Sequence, residues 1–171
     1  MTIKFPEDRD TENQRLTKYL FEEWREHMSS GFPAEEEYEF VKTAAPYIFD
    51  DGWLCVSGNA VFDLNLKARW LAASFICTKE KKAIVVTYNE LIDSMRRNEN
   101  MFIFQDVPFL VILFPELVLN ADWAAAKLMD IILNRKRLAI YTTNSTLMQG
   151  AVGDIVYNLI NTKSHKLILG G

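Results

Sequence analysis

The sequence predicts an α/β domain: an open, mostly parallel five-stranded sheet in three layers, with helices on both faces. Three observations predict it. Five short apolar runs, Trp53–Ser57, Ala83–Thr87, Phe109–Leu113, Leu138–Thr142 and Lys166–Leu169, alternate with longer stretches of helical periodicity, the pattern of strands joined by crossover helices. Several runs are nearly continuous in apolar residues, as strands buried on both faces of a parallel sheet must be. No repeat, low-complexity tract or Gly/Ser linker divides the 171 residues, a length that suits one domain.

The elements follow in chain order. Thr11 and Gln14 have capping-box spacing, and Leu16, Leu20, Phe21, Trp24 and Met28 recur at helical spacing behind them, which predicts a helix over about 11–29. Ser29, Ser30 and Gly31 break it. Pro33 can open a second helix, where its missing N–H is harmless. Glu35, Glu36 and Glu37 suit the positive end of that helix, and Pro46 is expected to end it. These two helices form an N-terminal preamble over 1–50, ahead of an α/β core over 51–171. Further helices are predicted near 65–78, 88–98, 121–135 and 146–161. Thr87 and Glu90 repeat the capping-box spacing at the start of the second of these.

Composition excludes several classes. A hydrophobic content of 49% excludes disorder as the main state. The net charge of −4 and pI near 5.3 lack the basic footprint of strong sequence-independent DNA binding. The longest apolar run, Phe109–Phe114, is far short of the roughly 20 residues a membrane helix needs, and residues 1–9 have no signal-peptide character. No membrane association and a cytoplasmic location are expected. Cys55 and Cys77 offer no zinc spacing, and His27 and His165 read as lone surface residues. No metal or cofactor is expected.

In such a sheet ligands bind beyond the carboxyl ends of the strands. The first of these turns reads Ser57-Gly58-Asn59-Ala60-Val61-Phe62-Asp63-Leu64-Asn65. A phosphate loop, GxxxxGK[ST], needs glycines to curl N–H groups around phosphate, a lysine for charge and a hydroxyl for magnesium. Gly58 fits the first glycine. Asp63, Leu64 and Asn65 occupy the Gly-Lys-Ser/Thr positions, and Lys67 falls three residues late. After Phe109–Leu113 a nucleotide hydrolase places acids for magnesium and water. Leu113 and Phe114 stand there, with Glu116 displaced beyond Pro115. The third turn, Tyr141-Thr142-Thr143-Asn144-Ser145, is polar and suits a helix cap as well as a phosphate contact. Basic clusters lie at Arg96-Arg97 and Arg135-Lys136-Arg137, with a weaker one at Lys163, His165 and Lys166. Helix-dipole complementation and nucleic-acid contact both suit them.

In this order the segments resemble the ATPase core of bacterial replicative helicase loaders of the DnaC/DnaI type and their transposon-borne IstB-type relatives. Gly52–Gly58 resembles the strand entering the phosphate loop, and Ala83–Leu91 the second strand and its helix. Asp106–Ile112 resembles the strand that ends in paired acids. Ala139–Asn144 is similar to the sensor segment, and Gly153–Leu159 to the closing helix. The resemblance covers about 50–171 and implies an AAA+ core of the P-loop NTPase type. The family's functional residues are mostly missing. The loop lacks its lysine and hydroxyl, Leu113 and Phe114 replace the acids, and Asp154 and Asn158 stand where arginines belong. Asn144 alone matches the sensor.

The resemblance implies a nucleotide site that neither binds nor hydrolyses ATP, and a helicase-loader-like protein that acts through contacts with a replicative helicase or a loader. Two other readings stay open: a single-stranded DNA module using Arg96, Arg97, Arg135, Lys136 and Arg137, and an active ATPase with a displaced loop using Lys67 and Glu116.

Overall fold

A computed structural model describes residues 2–5, 33–99, 101–118 and 123–170. The predicted helix over 11–29, with His27, lies outside them. The described elements are α1 (Glu35–Phe49), β1 (Trp53–Ser57), α2 (Val61–Lys79), β2 (Ala83–Thr87), α3 (Tyr88–Arg97), α4 (Met101–Asp106), β3 (Phe109–Leu113), α5 (Ala124–Ile132), β4 (Leu138–Thr142), α6 (Ser145–Val152), α7 (Asp154–Lys163) and β5 (Ser164–Ile168). The strands form one five-stranded sheet in the order β2-β3-β4-β1-β5, and every pairing is parallel.

Side chains that alternate along each strand divide between two cores, as a pleat of period two requires. Leu54, Val56, Phe109, Val111, Leu113, Ala139 and Tyr141 face α1 and α2. Trp53, Cys55, Leu110, Ile112, Leu138 and Ile140 face the layer built from α3 to α7. This makes the expected three layers, and it explains the continuous apolar runs in the central strands.

The structure moves several predicted boundaries. Pro46 does not end α1 but lies inside it. It sits on the exposed face, so the Lys42 carbonyl left without its donor can turn to water. Ala44, Ala45, Ile48 and Phe49 are buried on the other face and hold the helix through the proline. The helix expected over 146–161 is two helices, because Gly153 interrupts it with φ 85° and ψ 162°, a conformation open to glycine. The short α4 was not expected from the sequence. The last strand starts and ends earlier than the apolar run, at Ser164 and Ile168, because its register follows β1. Gly52 enters β1 where a Cβ would lie 2.1 Å from the Tyr47 carbonyl oxygen. That backbone crossing admits no side chain.

Candidate functional site: the closed turn after the first strand

The turn between β1 and α2 has three residues, Gly58, Asn59 and Ala60. Val61 and Phe62, which a phosphate loop would leave free to curl around an anion, already belong to the helix. Helical bonding takes the Leu64 N–H, which donates to the Ala60 carbonyl at 3.1 Å. The Gly58 N–H donates to the Thr142 carbonyl at 3.3 Å. Neither can turn inward toward a phosphate.

The space above Gly58 is filled. A Cβ there would lie 2.9 Å from Leu64 Cδ2 and 3.5 Å from Leu169 Cβ. Leu64 is 2% exposed and belongs to the same apolar cluster as Leu113 and Tyr141. Leu169, just past β5, closes the other side and donates its N–H to the Ser57 carbonyl at 2.8 Å. Leu64, at the expected lysine position, is therefore the plug of the turn.

Asp63 and Lys67 stand one helical turn apart in α2 and pair at 2.6 Å. Lys67 is buried, so its ammonium has a partner in Asp63 rather than an outlet toward the turn. Asn65 follows in the same helix, half-buried. At the end of β3, Leu113 faces the α1/α2 core, and Phe114 turns the other way to stack on Tyr88 with centroids 4.6 Å apart. Burial pushes the Tyr88 phenol up to about 12, and its hydroxyl donates to the Ala151 carbonyl at 3.1 Å. Both acid positions therefore hold packed apolar side chains. Glu116 is exposed in the loop beyond. Asn144 caps α6, its Oδ1 accepting from the Leu147 N–H at 3.0 Å. Asp154 accepts from Gln149 Nε2 at 3.1 Å.

The carboxyl ends of the strands also lack positive charge. Among the described residues there (33–38, 57–66, 87–91, 113–118, 142–147 and 168–170), none is Lys or Arg. A triphosphate would meet Glu90 and Glu116, and the nearest cation, Lys67, is buried and already matched by Asp63.

The structure splits the five basic residues singled out above. Arg135 and Arg137 are buried. Arg135 donates to the carbonyls of Phe104 at 2.7 Å, Gln105 at 3.1 Å and Arg137 at 3.1 Å, and also to that of Val107. It thus caps the carboxyl end of α4 from another segment. Burial lowers its pKa to about 10 while Asp106 pulls it up, so it stays charged at neutral pH. Arg137 caps α1, donating to Ile48 at 3.1 Å and Phe49 at 3.4 Å, and pairs with Asp51 at 2.8 Å. Both guanidinium groups are taken up by interior carbonyls rather than presented on the surface where DNA contact was expected. Arg96, Arg97 and Lys136 remain exposed, Arg97 within 3.2 Å of Asp93. His165 is exposed and stacks on Tyr47 with centroids 3.6 Å apart. Lys163 lies 4.3 Å over the Trp53 ring. Sequence reasoning did not single out Leu169. The sequence placed it as the last residue of the fifth apolar run, and the structure sets it one residue past β5.

The fold is shared with several solved structures. AMPPCP-bound DnaA from Aquifex aeolicus superposes with a TM-score of 0.63 at 11% identity, over 89% of this chain and 50% of that one. The DnaC helicase loader superposes with a TM-score of 0.58 at 16% identity, over 79% of this chain and 86% of that one. DnaI does so at 0.57 and 11%, over 80% and 81%. This is the AAA+ fold. The chain spans about half the length of the two AMPPCP-bound DnaA structures it matches. No family model matches the sequence, and no curated protein does. Within the AAA+ fold the turn after β1 is where a magnesium nucleotide would be held. The residues present do not fit that group: the turn is short, Leu64 plugs it, and the nearby Lys67 is buried against Asp63. Among the described residues no helix is long and apolar enough to cross a membrane.

Proposed function

We propose that this chain is a non-catalytic helicase-loader-like protein that acts in DNA replication through protein contacts, on a replicative helicase or on a competent loader, in the cytoplasm. The observation that carries the reading is Leu64 packed over Gly58, with Leu113 in the same apolar cluster. Phosphoryl transfer is mainly positioning and charge stabilisation, and a plugged turn whose nearest cation, Lys67, is buried against Asp63 supplies neither. The shared fold with DnaC and DnaI supports the replication role. In the preamble over 1–50, α1 acts as one unit with the 51–171 core, to which it contributes Phe40, Val41, Ala44 and Ile48.

Two titrations test this. With magnesium-ATP, the expected result is no saturable binding and no phosphate release above buffer. Micromolar binding with turnover would overturn the non-catalytic half. With a purified replicative helicase and its loader from the same genome, the expected result is saturable binding to one of them. Binding to neither would overturn the partner half. The single-stranded DNA reading now rests on Arg96, Arg97 and Lys136. It requires oligonucleotide affinity that falls steeply with salt.

A further inference from the structure

The two edges of the sheet differ. At one edge, β2 is buried or half-buried along its whole length. At the other, β5 exposes His165, Lys166 and Ile168, the last at 82%. Among the described residues β5 pairs with β1 alone. The Leu169 N–H donates to the Ser57 carbonyl at 2.8 Å. Backbone groups along a parallel strand alternate in direction, so Leu167 shares that orientation, and the N–H and C=O groups of Lys166 and Ile168 point away from the sheet. Such outward donors and acceptors are what an extended peptide pairs with when it adds to a sheet edge.

Side chains sort with the same period. Lys166 is the register partner of Cys55 and Ile168 of Ser57. Cys55 faces the layer of α3 to α7, so Lys166 and Ile168 lie on that face. Lys163, which ends α7, stands over Trp53 on the same face. On the opposite face His165 stacks on Tyr47 and Leu167 packs against the α1/α2 core.

Charge along this edge has one sign. Residues 155–170 contain Lys163 and Lys166 and no acid, and neither lysine has an acid partner among the described residues. The acids of the elements packed on β5 are distant or occupied. Asp154 opens α7 at its far end and accepts from Gln149. Asp51 pairs with Arg137. The acids within α1 precede Tyr47 by eight or more positions, about 12 Å or more along a helix axis. Asp50 is exposed, before the start of β1.

We propose that β5 is a docking edge for an extended, acidic segment of a partner protein. The segment pairs through its backbone with Lys166 and Ile168. It sets a carboxylate beside Lys166 and an apolar side chain, two positions along, beside Ile168. A second copy of this chain does not suit the edge, because pairing β5 with itself brings the lysines of both copies to one seam. A lysine by itself does no more than keep like edges apart. Ile168, apolar and open to water next to it, gives a complementary strand something to bury. The inference rests neither on the nucleotide reading nor on the identity of a helicase partner, because its readout is this chain's own amides.

An amide NMR titration of the full chain tests it, with a peptide of two Glu-Thr-Val-Thr repeats, which puts glutamate and valine on one face of a strand. The expected result is saturable binding that slows hydrogen exchange at the Lys166 and Ile168 amides and leaves those of Leu167 and Leu169, already turned to β1, as they were. That alternation separates strand addition from charge attraction alone. The same peptide with lysine for glutamate should bind about tenfold more weakly. Lys166→Glu, with an unchanged circular dichroism spectrum, should reverse the preference between the two peptides. No saturable binding up to millimolar peptide, equal affinity for both peptides, or slowed exchange without the alternation would each overturn the proposal. So would protection of the Lys166 amide that grows with protein concentration in the absence of peptide, which would make a second copy the occupant.

Discussion

The turn after β1 and the turn before β4 both carry residues that look ligand-binding in the sequence, and both are taken up by contacts within the fold, for opposite reasons. Gly58–Ala60 lacks charge and is filled by a neighbour, Leu64. Residues 133–137 are rich in charge, and two of their cations are turned inward onto backbone carbonyls at the ends of α4 and α1. A glycine after a strand signals a ligand only if its space is empty. A cluster of arginines signals a surface only if the guanidinium groups reach it. The comparison therefore turns on occupancy, and each side can be attacked by substitution.

The largest effect is expected in the basic turn. Arg135→Ala removes the donor to four carbonyls, three of them in buried bonds, at about 3–4 kcal/mol of stability in denaturant unfolding. A loss under about 1 kcal/mol would mean that the guanidinium is solvated. Next is the plug. Leu64→Ala should cost about 2–4 kcal/mol, the range for truncating a buried leucine. Gly58→Ala should cost about 1–3 kcal/mol, since its methyl enters the space Leu64 holds. In the Leu64→Ala background that cost should shrink, and a double-mutant cycle would read the difference as coupling. Additive effects would show that the two residues do not touch. Asn144→Ala removes a side-chain cap, worth about 1 kcal/mol, or a fall of about 2–4 °C in Tm for a domain of this size. The smallest change is expected from Tyr141→Phe. Among the described contacts its buried hydroxyl has no partner, so losing it should leave stability unchanged or slightly raised. A clear loss would reveal an acceptor.

The sequence made the strands and the layers legible because burial on both faces leaves continuous runs such as Phe109-Leu110-Val111-Ile112-Leu113. The capping pair at Thr87 was legible too: the Glu90 N–H donates to Thr87 Oγ1 at 3.1 Å, and that hydroxyl reaches the Glu90 carboxylate at 2.8 Å. Pro46 misled because the cost of a helical proline depends on which face it occupies, and tertiary packing sets that face. The α4 segment, Met101–Asp106, is too short to show a period. At the candidate site, the missing lysine, hydroxyl and acids could be read residue by residue. What fills their places could not, because α2 is buried around most of its circumference and periodicity does not say which side chain points at the turn. The arginines of 133–137 gave the same difficulty. Their charges were plain, but all but one of their targets lie 28 or more residues away in sequence.

The central claim, that the turn after β1 is closed to a phosphate, is tested most directly at its own amides. In an amide NMR titration with magnesium-ATP, the Gly58, Asn59 and Ala60 resonances should stay in place up to millimolar nucleotide. Saturable shifts of those three, accompanied by Leu64, would mean that the plug opens and the turn cradles phosphate, which would contradict the account.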